Sequence, residues 1–209
     1  RFDPKTERKY LKEEELIKVL NGIKKEKHRM IALIQILTGM RACDVFRIEK
    51  GGIIEETYKT DPVLRITSLG KGRRRHIAYI YDEIASGLIM KYINTHDLGG
   101  KYYFLTQTRS NRVRGFGKSF NEYYKYLTNF IYYSADLKNG LKSVGVPLEL
   151  FATHDIRRCF AQRCWLQFKD INILMRMLNH QNADTTIRYL RFSGLQNADY
   201  YRQLQLGKS

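Results

Sequence analysis

The chain has 209 residues, room for one full domain or one domain with a small appendage, which excludes a multi-domain machine. Lys and Arg number 37 against 21 Asp and Glu, a formal charge of +16 that calls for an anionic partner. Hydrophobic residues at 43% and aromatics at 12% are enough for a packed core, so a disordered basic tail is excluded as well.

In chain order, residues 11–20 carry apolar side chains at helical spacing and stop at Asn21-Gly22, and residues 30–37 predict a buried helix ended by Gly39. The longest apolar stretch is that second segment, broken by Gln35 and far shorter than the roughly 20 residues that cross a bilayer, so no membrane span is expected. From residue 53 to 81 the pattern changes to β-branched and aromatic clusters. Residues 63–67 and 76–81, separated by Gly70-Lys71-Gly72, predict a hairpin with Lys71 near its turn.

Helices follow. Asp82 is a cap for one running to about residue 94, and another is predicted over residues 116–133. Thr153 is read as the N-cap of a helix over 154–168, Asp170 starts a segment ending near His180, and Asp184 opens a short helix containing Tyr189. The three prolines (Pro4, Pro62, Pro147) fall between periodic segments, and no internal repeat appears. The fold class expected is mainly α with a small antiparallel β-sheet (α+β).

Neither an apolar signal region nor an initiator methionine opens the chain, so export is not indicated and an excised fragment is expected. Cys43, Cys159 and Cys164 form an odd set with no CxxC pair, which fits a reducing, intracellular setting. His28, His76, His96, His154 and His180 show no metal spacing, and no metal or other cofactor is expected. Gly117-Lys118-Ser119 mimics the end of a phosphate-binding loop, but Arg112 stands where the first glycine is required.

Several constellations carry chemistry. Asp44 follows Arg41 by three residues, so one helical turn sets the carboxylate against the guanidinium and implies a buried, oriented arginine; a plain structural ion pair is the alternative. His154 and Arg157 share one helix flank beside the apolar stripe of Ile156, Cys159, Phe160 and Cys164, where they bind a phosphate or act as a cap and a surface charge. Lys71 precedes Arg73, Arg74 and Arg75, a run that is either simply solvated or holds phosphates without chemistry.

Taken together, TGMRxxD (38–44), Lys71 in a hairpin turn, HDIRR (154–158), LNH (178–180) and TTIRY (185–189) resemble the tyrosine recombinase family, the phage-integrase type, over about residues 11–192. The resemblance implies a catalytic set of Arg41, Lys71, His154, Arg157, His180 and the nucleophile Tyr189, supported by Asp44, with Arg73 the other candidate for the general-acid position. It departs from the family at Asn179, where glycine is usual, and at Arg158-Cys159, where His-Thr or His-Ser is common. It further implies a catalytic domain over 1–192, an N-terminal DNA-grasping domain absent from this fragment, and double-stranded DNA as substrate. On this resemblance strands are expected to be cleaved and rejoined through a 3′-phosphotyrosine without metal or ATP, by a tetramer on paired sites, in the cytoplasm or nucleoid of the cell hosting the element. Residues 193–209, with Leu195, Ala198, Tyr201 and Leu204 in one stripe, are expected either to dock on a neighbouring subunit, as the resemblance implies, or to pack on their own domain. Strand relaxation of the type IB topoisomerase kind and a non-catalytic DNA-binding protein are the alternatives.

Overall fold

The structure, a computed structural model, describes residues 11–69, 75–96, 100–105, 118–146, 148 and 151–190, with the side chains of 118–126, 188 and 189 outside the description. Eight helices and three strands run through the described residues: α1 (Glu13–Gly22), α2 (Glu26–Thr38), α3 (Ala42–Phe46), β1 (Ile53–Tyr58), β2 (Asp61–Leu69), β3 (Arg75–Ile80), α4 (Glu83–Thr95), α5 (Lys118–Lys142), α6 (Thr153–Phe168), α7 (Ile171–Met177) and α8 (Ala183–Leu190). The chain divides into two compact units, residues 1–160 and 161–209, with the boundary inside α6. No helix among the described residues is long and apolar enough to cross a membrane.

The first unit is built around α2. Met30, Ile31, Ala32, Leu33, Ile34 and Ile36 are all buried, so the helix is apolar on nearly every side and shows no amphipathic stripe. It begins at Glu26, four residues before the predicted start, because the Asp136 carboxylate of α5 covers its polar first turn. That carboxylate accepts the Lys24 and Lys25 backbone N–H groups at 3.2 and 2.9 Å and contacts His28 Nδ1 at 3.0 Å. α5 itself continues to Lys142, nine residues past the predicted end, carrying Tyr133, Leu137 and Leu141 as one buried row. Asn139-Gly140 reads as a stop in isolation, yet a Cβ at Gly140 would stand 2.3 Å from the Val19 carbonyl, so this glycine lets α1 cross α5.

The sheet has the order β1-β2-β3, antiparallel throughout. Tyr58 pairs with Asp61 across Lys59-Thr60, where Lys59 takes a left-handed φ of 58°, a turn without glycine or asparagine that the sequence pattern did not reveal. Pro62 lies inside β2 rather than between elements; it faces only β1, because β3 joins the register at Leu64. The β2–β3 pairing runs to Leu69 opposite Arg75, as the hairpin reading requires, while Lys71, Arg73 and Arg74 fall in residues 70–74, outside the described residues.

Two predicted caps move by one or two residues. Thr153 is the first residue of α6 and not its cap; the Asp155 carboxylate instead accepts the Ala152 N–H at 2.8 Å. α8 opens at Ala183 with Asn182 Oδ1 accepting the Asp184 N–H at 2.8 Å, so Asn182 takes the role assigned to Asp184. Asp82 and Asp170 cap α4 and α7 as read, the first accepting from Ala85 N–H and the second from Asn172 and Ile173 N–H. In the second unit Leu174, Leu178 and Leu190 are buried, and the Cys164 thiol donates to Met177 Sδ at 3.7 Å.

Candidate active site

The turn between α2 and α3 organises the first unit's polar residues. Gly39 ends α2 at φ 65°, a left-handed conformation that disfavours a side chain, and a Cβ there would lie 2.3 Å from the Phe160 ring. Buried Gln35 donates to the Met40 carbonyl at 3.2 Å and accepts the Tyr133 hydroxyl at 2.6 Å, while the Thr38 hydroxyl accepts the Met40 N–H at 3.2 Å. These bonds fix the backbone just ahead of Arg41.

Arg41 occupies the position before α3, with its Nη1 3.7 Å from the Asp44 carboxylate. Its side chain is 31% exposed against 2% for Asp44, which corrects the expectation of a buried arginine: from its place ahead of α3 the arginine is only half-buried, while the carboxylate stays inside. The Asp44 carbonyl accepts the Ser68 hydroxyl of β2 at 2.5 Å, tying the helix to the sheet. Beside it the Cys43 thiol donates to Asp44 Oδ1 at 3.5 Å, and burial, with Asp44 as the second cause, pushes its pKa up to about 11, so it stays a thiol.

Arg157 is fully buried and donates from Nη1 to the Gly39 carbonyl at 2.6 Å. One glycine therefore both releases the chain toward Arg41 and anchors Arg157. Arg158 turns away and pairs with Asp155 at 2.5 Å, so its substitution for the family's usual residue leaves the Arg157 anchor intact. His154 stands exposed on the first turn of α6. Desolvation of its ring, followed by the charges of Arg157, Arg158 and Arg41, presses its pKa down to about 4, which makes it a neutral imidazole at neutral pH. Arg41, Asp44, His154 and Arg157 thus meet at one corner of the first unit.

In the second unit, α7 is followed by Asn179 at φ 52°, a left-handed residue whose N–H bonds the Arg176 carbonyl while that of His180 bonds Met175. Asparagine is among the few non-glycine residues at ease there, which accounts for the departure at this position. His180 Nδ1 lies 3.0 Å from the Thr186 hydroxyl of α8, a partner the sequence reading did not single out. The available signal was a polar residue at 186 in the buried row that Leu190 continues one turn later. Tyr189 lies on α8 in the turn after Thr186, with its side chain outside the described set. Arg75 opens β3, exposed.

The phage integrase family model matches residues 9–194. Among solved structures the fold is similar to XerH site-specific recombinase bound to palindromic difH substrate in a post-cleavage complex, at a TM-score of 0.68 and 18% identity, covering 93% of this chain and 52% of that one. It is similar also to a lambda integrase dimer bound to a COC′ core site (TM-score 0.58, 15% identity, 88% of this chain and 48% of that one). The catalytic domain of bacteriophage HP1 integrase matches at a TM-score of 0.50 and 17% identity over 97% of this chain and 100% of that one. The chain thus spans about half the length of the XerH and lambda integrase chains it matches. No curated protein sequence matches it.

Proposed function

The chain belongs to the phage integrase family, and from that premise we propose that it is the catalytic part of a site-specific recombinase acting on double-stranded DNA. The observation that carries the reading is the Gly39 turn, whose carbonyl holds Arg157 and whose downstream residue is Arg41, with neutral His154 beside both. Two guanidiniums neutralise the nonbridging oxygens of a phosphodiester as charge grows on them in the transition state. Because Arg157 is fully buried, its engagement requires DNA binding to open that edge of the corner.

The reaction follows from these groups. Tyr189 Oη attacks phosphorus, the bond to the 5′-oxygen breaks, and a 3′-phosphotyrosine forms. The phenol, with an ordinary pKa near about 10, gives its proton to His154, which is neutral in the DNA-free protein and is made more basic by the negative charge of the bound phosphate. Lys71 protonates the departing 5′-oxygen, and His180 donates to a nonbridging oxygen. Attack by a 5′-hydroxyl of another strand reverses the step and joins the exchanged ends without ATP. XerH in a post-cleavage complex and a lambda integrase dimer on a core site support DNA as the partner, and a tetramer on paired sites inside the host cell completes the reading.

A nicked suicide substrate incubated with the protein in EDTA tests this. Denaturing electrophoresis should reveal a covalent adduct, mass spectrometry should place it on Tyr189, and Tyr189→Phe should bind DNA without forming it. An adduct that survives that substitution, or one that needs added magnesium, refutes the assignment.

A further inference from the structure

Thr186 is wholly buried on α8, and its Oγ1 stands 3.0 Å from His180 Nδ1. A hydroxyl in a buried slot is unfavourable unless it is hydrogen-bonded, and the imidazole meets that need. The same ring is fixed from the backbone side by left-handed Asn179 and by the His180 N–H on the Met175 carbonyl. Ring and hydroxyl therefore face each other from two short elements packed together, α7 with its following turn and α8.

We propose that Thr186 is a positioning residue whose hydroxyl donates to His180 Nδ1 and keeps the proton of the neutral ring on Nε2, aimed at a nonbridging oxygen of the scissile phosphate. This rests on the reading of His180 as a phosphate donor. A neutral imidazole has one donor and one acceptor nitrogen. Were Thr186 to accept from Nδ1–H of the neutral ring, Nε2 would turn a lone pair toward an anion, so with a neutral ring it is the donating hydroxyl that serves a bound phosphate. α8 also carries Tyr189 three residues on, so the element that bears the nucleophile sets the state of the histidine.

A double-mutant cycle with a spectroscopic arm tests the proposal. Thr186→Val keeps the shape and removes the hydroxyl. It should slow single-turnover cleavage roughly 3- to 10-fold, the worth of one net hydrogen bond, with DNA affinity unchanged and Thr186→Ser restoring the rate. In a His180→Ala background the valine should slow cleavage no further. Equal slowing in both backgrounds, or none in the parent, overturns the proposal. Imidazole ¹⁵N shifts of the full chain without DNA should place the neutral proton of His180 on Nε2 in the parent and mix the two tautomers in Thr186→Val. A parent ring protonated at Nδ1 overturns the proposal whatever the activity. A His180→Ala protein that cleaves at the parent rate refutes the role of His180 instead, and the nitrogen shifts still decide what the hydroxyl does.

Discussion

His154 has a folded pKa of about 4, set by desolvation first and then by Arg157, Arg158 and Arg41, against an ordinary value near 6.5. Between those values the unfolded chain binds a proton that the folded chain refuses, so acidification draws the equilibrium toward unfolding. The contribution is nil above the ordinary value, grows as pH falls through the window, and stops growing below the folded value. His28 shifts in the same direction, by desolvation first, so the comparison must be made against His154→Gln. Urea unfolding should show the parent losing more stability than that variant between pH 7 and pH 4.5; parallel losses would contradict the shift. The same substitution should slow cleavage by about 100-fold or more, the range of a general base. Lys71→Ala should slow cleavage of ordinary DNA and be rescued by a 5′-bridging phosphorothiolate, whose sulfur leaves without a proton. Equal slowing on both substrates would move the general-acid role away from Lys71, to Arg73 or another group.

Gly39 shows how one short turn serves two side chains. Gly39→Ala forces a left-handed alanine, at about 1–2 kcal/mol, and drives a methyl into Phe160, adding about 1–3 kcal/mol of overpacking. A total loss of about 2–5 kcal/mol in denaturant unfolding should come with weaker cleavage, since the same turn carries the acceptor of Arg157. An alanine variant of parent stability would show that the turn relaxes freely. In the sequence this glycine was visible as a helix stop and as a member of TGMRxxD but not as the anchor of Arg157, because its φ has a local signature and its carbonyl's partner, 118 residues away, has none. The same division holds elsewhere. Asp82 and Asp170 were legible because a cap acts on residues next to it. The start of α2 was hidden because the two residues leading into it are held by Asp136 on another helix, and the end of α5 because Gly140 answers to Val19. The grouping of Arg41, Asp44, His154 and Arg157 was legible by type and spacing; Thr186, Gln35 and Ser68 were not, since their roles lie in single hydrogen bonds to partners that spacing alone does not identify.

At the scale of the whole molecule, 37 cations against 21 anions leave a charge of +16, far beyond the two arginines that meet at the corner of the first unit. On the proposed reading those two serve one phosphate, which leaves most of the excess for the rest of a bound duplex. Each cation that neutralises a phosphate releases condensed counterion, and the logarithm of affinity then falls with the logarithm of salt by about 0.9 per phosphate. The hairpin arginines give this a local test. Replacing Arg73, Arg74 and Arg75 together by alanine should lower the magnitude of the slope by about 0.9 for each that touches a phosphate. It should also weaken binding to unrelated sequences as much as to the target, because phosphate contacts carry no sequence information. Fluorescence anisotropy across a salt series, with target and scrambled duplexes, measures both quantities. A slope unchanged in the triple variant would place the DNA backbone elsewhere on the surface. A weakening confined to the target duplex would mean that these arginines read base edges and not the backbone.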